Sequence, residues 1–187
     1  MNRGNLIVIS GPSGAGKGTI VSKLMEKNDE KLALSISCTT RYRREGEIDK
    51  VHYYFISKEE FRSKIEEGDF LEYAQVFDNF YGTPLSKIEE KLNDGIDVIL
   101  EIDVQGALQV KEKVPKAILI FIMPPSFEIL SERLKGRGTE TEEQVNKRLS
   151  KAEKEMNLKD KYDYSVVNAD LDKAVGEVYN IIKTNRK

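Results

Sequence analysis

The segment Gly11-Pro12-Ser13-Gly14-Ala15-Gly16-Lys17 follows the apolar run Leu6 to Ile9 and opens a helical pattern. A strand that passes at once through such a loop into a helix leaves few architectures open. The glycines let the backbone turn tightly, so that successive N–H groups converge on phosphate oxygens. The helix N-terminus adds partial positive charge, and Lys17 can reach the β- and γ-phosphates of a bound nucleotide. Gly11, Pro12, Ser13, Gly14, Ala15, Gly16, Lys17, Gly18 and Thr19 are therefore candidate nucleotide-binding residues. Such loops usually end in Lys-Ser or Lys-Thr, the hydroxyl serving as a Mg²⁺ ligand. Here Gly18 follows Lys17, and Thr19 points about 100° further round the helix. No protein metal ligand is expected, and Mg²⁺ is expected to be held mainly by the nucleotide's phosphates and water.

The remaining chain alternates apolar and amphipathic stretches. Leu6 to Ile9, Leu32 to Ile36, Val98 to Ile102, Ala117 to Ile122 and Tyr164 to Val167 read as strands. Several are continuous apolar runs, as parallel strands buried on both faces require. Lys17 to Lys27, Leu85 to Leu92, Val104 to Lys113, Phe127 to Lys135, Glu142 to Asn157 and Leu171 to Lys183 read as helices. The pattern predicts an α/β fold, a parallel sheet with helices on both faces. Two segments break it. Ser37 to Thr83 lacks a strong buried-strand run and carries one short helix, with Ser57 and Glu60 spaced as a capping box and Gly68 as its terminator. It reads as an inserted lobe, 37–83, in a core made of 1–36 and 84–187. Gly136 to Thr141 reads either as a mobile flap or as a plain connection between helices.

Composition removes other classes. Thirty Lys and Arg against 32 Asp and Glu give a net charge of -2, unlike a protein that coats nucleic acid. The longest apolar stretch, Ala117 to Met123, is far short of a membrane span. The N-terminus shows no secretory signal pattern, so a soluble, cytoplasmic chain is expected. Single Cys38 and single His52 exclude a disulfide framework and the usual zinc ligand sets. Cys38 reads as a small buried hydrophobe and His52 as a partly exposed, packed histidine. A guanine-reading Asn-Lys-x-Asp segment, as a GTPase needs, is absent.

Arg41, Arg43 and Arg44 bring three guanidinium groups within four residues, suited to bidentate phosphate recognition. Tyr53, Glu72 and Tyr81-Gly82-Thr83 follow, supplying phenols, a lone carboxylate and a hydroxyl. The strings Ser37-Cys38-Thr39-Thr40-Arg41, Glu45-Gly46-Glu47, Tyr81-Gly82-Thr83, Glu101-Ile102-Asp103-Val104-Gln105-Gly106 and Gly136-Arg137-Gly138-Thr139-Glu140, in this order, resemble guanylate kinases. The resemblance implies an ATP-binding P-loop core, a GMP-binding lobe and a helical lid at about 126–157. It also implies transfer of the ATP γ-phosphoryl group to GMP, and to dGMP, with Mg²⁺, by a monomer or homo-oligomer.

Matched position by position, the resemblance assigns the GMP phosphate to Arg41, Arg44, Tyr53 and Tyr81. It places Ser37, Glu72 and Thr83 around guanine, with Glu101 and Asp103 nearby. A carboxylate at Glu72 can accept from both N1–H and N2–H₂ of guanine, whereas adenine offers neither donor. Sites built on such bonds can discriminate by about 10⁴-fold. The hydroxyls of Ser37 and Thr83 are expected to donate to O6. Arg133, Arg137 and Arg148 resemble the arginines that close on the transferring group, although Arg133 and Arg148 also fit a solvated helix face. Asp103 fits two roles, orienting Mg²⁺-bound water or capping the next helix. Asn168 is expected to contact adenine or ribose. Lys50 stands where the family commonly has glycine. A kinase for another nucleoside monophosphate, or a non-catalytic scaffold module that binds phosphopeptides, would share parts of this pattern.

Overall fold

The computed structural model describes residues 2–76, 78–135 and 142–186. In chain order its first elements are β1 (Leu6–Ser10), α1 (Lys17–Met25), β2 (Leu32–Leu34), β3 (Cys38–Thr39), β4 (Tyr54–Phe55) and α2 (Lys58–Glu66). Then come β5 (Phe70–Val76), β6 (Asn79–Pro84), α3 (Leu85–Asn93), β7 (Asp97–Glu101) and α4 (Val104–Lys113). The last are β8 (Ile118–Met123), α5 (Phe127–Lys135), α6 (Glu142–Met156), β9 (Tyr164–Val167) and α7 (Leu171–Asn185).

Five strands pair in the order β2-β7-β1-β8-β9, every neighbouring pair parallel. Alternation along the central strand explains the two layers. Ile7 and Ile9 face one side, where they pack with Ile20, Val21 and Leu24 of α1 and with Val175 and Val178 of α7. Leu6 and Val8 face the other side, packing with Ile88 and Leu92 of α3 and Ala107 and Val110 of α4. Each large buried aliphatic side chain contributes about 1.5–3 kcal/mol. Three of them anchor α1, which outweighs the ~1 kcal/mol cost of Gly18 in its first turn.

This layering positions a cleft. The chain leaves β1 toward α1 on one face and leaves neighbouring β7 toward α4 on the opposite face. Between the two exits, at the carboxyl ends of the strands, the structure opens. The strand expected over Leu32 to Ile36 ends at Leu34, and only Ser35 N–H continues the pairing, to the Ile99 carbonyl. From there the chain enters a second sheet.

That second sheet, ordered β4-β3-β6-β5, occupies the segment expected to hold only one helix. The helix is present as α2, with the Ser57 side chain accepting from Glu60 N–H at 3.0 Å and Gly68 following at φ +71°. In the sequence β3 and β4 are too short to show a period, and in β5 a register shift between Phe70 and Glu72 sends Phe70 and Leu71 into different clusters, so no clean alternation survives. On that face Phe61 of α2 stacks on Phe70 at 4.4 Å and on Phe80 at 5.4 Å, closing a small core with Cys38. Gly82 lies under these rings. A Cβ there would stand 2.9 Å from Phe70 and 3.0 Å from Phe61. Gly82→Ala should therefore cost about 1–3 kcal/mol by overpacking. Denaturant unfolding checks this, and a stability unchanged from the parent chain would mean that the rings can shift.

Helices α5 and α6 pack on each other through Leu130, Leu134, Val145 and Ala152. Among the described residues no helix is long and apolar enough to cross a membrane.

Candidate active site

The loop between β1 and α1 is held in place from three sides. Gly11 has φ +141° and passes so close to β8 that a Cβ would meet the Ile122 carbonyl at 2.2 Å. Gly14 rests on Leu130 and Leu134 of α5, and Ala15 is fully buried. Gly16, at φ +91°, caps α1 and leaves no space for a side chain beside Asn168. The amide of Asn168 donates to the Ala15 carbonyl at 2.8 Å, and its backbone N–H donates to Met123. Asn168, expected at adenine or ribose, lines the cleft and at the same time braces the loop through its amide, at 6% exposure.

Lys17 folds back over its own loop, donating to the carbonyls of Gly11 at 2.7 Å and Pro12 at 3.1 Å. Burial lowers its pKa, while the carboxylates of Glu101, Glu155 and Asp103 oppose that shift. Burial likewise raises the Glu101 carboxyl, against the pull of Lys17. A cleft of about 700 Å³ opens here, lined by Ser13, Lys17, Gly18, Thr19, Glu101, Arg133 and Asn168, among others.

The helical pair reaches the loop with two of the expected arginines. Arg148 on α6 donates to Ser13 Oγ at 2.5 Å, and Arg133 on α5 donates to the Asn168 carbonyl at 3.3 Å. Both therefore lie at the cleft rather than on a purely solvated face. Arg137 lies outside the described residues. Glu155, two turns beyond Arg148 on the same helix face, is 8% exposed and pairs with Lys151 at 3.5 Å. Burial raises its pKa, against Lys151 and Lys17. In the sequence, the one signal for Glu155 is its seven-residue spacing from Arg148, which puts the two on one helix face.

Asp103 terminates the β7 exit and caps α4, its Oδ1 accepting from Gly106 N–H at 2.8 Å. Of its two expected roles the capping one is realised by that oxygen. A Cβ on Gly106 would lie 3.4 Å from Asp103 Oδ1 and 3.6 Å from Glu72 Oε2, so both carboxylates border the first turn of α4. Glu72 on β5 sits opposite Thr83 on β6. The Thr83 hydroxyl, fully buried, donates to Glu72 Oε1 at 2.5 Å. Thr83, expected beside guanine, thus orients Glu72. Burial raises the Glu72 pKa, and the Thr83 bond partly offsets this. Lys113 at the end of α4 donates to the Leu71 carbonyl at 2.7 Å and ties β5 to the core. Ser37 is partly buried, its carbonyl accepting from Tyr54 N–H at 2.9 Å.

Arg41, Tyr53 and Tyr81 converge. The Arg41 guanidinium lies 5.7 Å from the Tyr53 ring centroid, and Tyr53 meets Tyr81 edge-on at 6.0 Å. Burial raises the Tyr53 phenol, the neighbouring Tyr81 adds to that shift and Arg41 opposes it. Arg44 is exposed at the rim of this cradle. Lys50 adopts φ +64°, the left-handed conformation that favours glycine, and its N–H still bonds the Tyr53 carbonyl at 2.8 Å. The turn before Tyr53 is thus kept despite the lysine.

A strand, a glycine-rich loop and a helix at the carboxyl end of a parallel sheet define a P-loop nucleotide-binding protein. Residues 3–185 match the guanylate kinase family model. A guanylate kinase of Clostridioides difficile is 51% identical over 186 residues, covering 100% of this chain and 90% of that protein. One from Caldanaerobacter subterraneus is 55% identical over 180 residues, covering 96% and 87%. The crystal structure of guanylate kinase from Anaplasma phagocytophilum superposes with a TM-score of 0.77 at 35% identity, covering 99% of this chain and 87% of that one. The chain belongs to the guanylate kinase family.

Proposed function

We propose that this enzyme transfers the γ-phosphoryl group of ATP to GMP, and to dGMP, giving ADP and GDP (or dGDP). The observation that carries this reading is the oriented carboxylate of Glu72, opposite Thr83 and two residues along the β5–β6 ladder from Tyr81 of the arginine–tyrosine cradle. ATP phosphates sit against the N–H groups of Gly14 to Gly18, with Lys17 released from its own carbonyls onto the β- and γ-oxygens. The cradle of Arg41, Arg44, Tyr53 and Tyr81 holds the acceptor phosphate. Glu72 accepts from N1–H and N2–H₂ of guanine, and Ser37 supplies a donor to O6.

Two anions must meet in line, so charge and water exclusion carry the rate. Arg148 and Arg133 leave Ser13 and the Asn168 carbonyl to neutralise the transferring group, joined by Arg137. This assigns 126–157 as the lid and 37–83 as the acceptor lobe. No general base is needed, since the acceptor phosphate is already ionised. Mg²⁺ enters with ATP as part of the substrate and neutralises its phosphates. Thr19 and Glu101 line that side of the cleft. Buried Cys38, its thiol pushed up to about 11 by burial, takes no part and suits a reducing cytosol. ADP formation that requires both Mg-ATP and GMP is the direct test.

A further inference from the structure

Within the acceptor cradle stands an acid that this mechanism leaves without a role. Glu47 lies six residues beyond Arg41, and its side chain is only 19% exposed. Its Oε1 accepts from Arg41 Nη2 at 2.7 Å and its Oε2 accepts from Arg41 Nη1 at 3.0 Å, a two-point fork. The same Oε2 accepts from the backbone N–H of Arg44 at 2.8 Å. In return Glu47 N–H donates to the Arg44 carbonyl at 3.2 Å, across a turn that Gly46 makes at φ +81°. The bonds from Arg41 and from Arg44 N–H hold the Glu47 carboxyl at about 2, so it stays ionised. One carboxylate thus joins the side chain of one expected phosphate ligand to the backbone of the other.

On electrostatics alone this is the wrong place for an acid, because it repels an arriving phosphate. The contacts supply the compensating reason. Arg41 is long and would otherwise sample many rotamers, and ordering it only on binding would weaken affinity. Here its fork is fixed by Glu47 and the Tyr42 carbonyl at 2.7 Å, and its plane is flanked by Tyr53 and by Phe55 at 5.8 Å. These contacts engage three of the five guanidinium N–H donors, and the Tyr81 side chain is a further hydrogen-bond partner of the same group.

We infer that Glu47 is a positioning residue for the acceptor substrate: it presets Arg41 and the Arg44 turn to receive the nucleoside monophosphate's phosphate. The inference rests on the reading of Arg41 as a phosphate ligand. It requires Glu47 to act through Arg41 and on the acceptor side of the reaction only.

The test compares Glu47→Gln, Glu47→Asp, Arg41→Ala and the double variant Arg41→Ala/Glu47→Gln in steady-state assays with GMP and ATP varied separately. Glu47→Gln keeps the length but loses the second acceptor oxygen. It should raise KM for GMP about 10-fold and leave KM for ATP within about twofold. Glu47→Asp keeps the charge but is one methylene too short to serve both arginines, and should fall between. The double variant should be no worse than Arg41→Ala alone, because Glu47 has nothing left to position. The inference is overturned if Glu47→Gln and Glu47→Asp leave KM for GMP unchanged or lower it. It is also overturned if ATP suffers equally, or if the full Glu47→Gln effect persists without Arg41. Should Arg41→Ala itself leave KM for GMP unaltered, the assignment of the cradle fails, and the inference with it.

Discussion

Lys17→Ala should lower kcat for phosphoryl transfer by about 10³-fold or more while the protein still folds, the scale seen when one preorganised charge-stabilising donor is removed. Lys17 lies at the surface of the cleft, not in the hydrophobic layers, and its bonds are to carbonyls of its own loop. Alanine keeps the helix start and relieves the burial of a charged group. Loss of activity should therefore come without loss of structure. Steady-state ADP formation by the variant, with circular dichroism as the folding control, checks both halves. Near-parental turnover from folded protein would remove Lys17 from the transferring phosphates and leave the loop a purely structural turn.

The second large effect concerns the base. Thr83 donates to Glu72 Oε1, so in Glu72→Gln the amide oxygen takes that position and the NH₂ replaces Oε2. A donor then faces the guanine donors, and a buried charged acceptor is lost. The expected outcome is a fall of about 10²–10³ in kcat/KM for GMP, since each unmade bond to a buried charged partner costs about 1.5–3 kcal/mol. KM for ATP should stay close to the parental value, because Glu72 borders α4 and not the phosphate loop. Separate titrations of the two substrates make the comparison. An unchanged kcat/KM for GMP would take Glu72 out of base recognition.

The parts that the sequence made legible share a property: their chemistry is local. The loop from Gly11 to Lys17 carries its strand, its turn and its helix start within a dozen residues, and the structure has each in place. The buried runs of β1, β7 and β8 were equally plain, because strands covered on both faces must be apolar at successive positions. What stayed hidden depends on distant partners. The sheet of β3 to β6 packs on one aromatic cluster around Phe61; two of its strands are two residues long and β5 carries a register shift, so no clean period is left to read. The bond between Thr83 and Glu72 needs β5 beside β6. The brace of the Asn168 amide on the Ala15 carbonyl joins residues 153 apart in the chain. Glu47 was visible as a letter in a motif, but its bond to Arg41 needs the Gly46 turn.

The account stands or falls on one comparison: ADP formation from Mg-ATP with GMP, dGMP, AMP, UMP, CMP and dTMP in parallel. The account predicts strong turnover confined to GMP and dGMP, because of these bases only guanine offers the donor pair that Glu72 accepts. Comparable turnover with another monophosphate, or none with any of them from folded protein that still binds GMP, would contradict it.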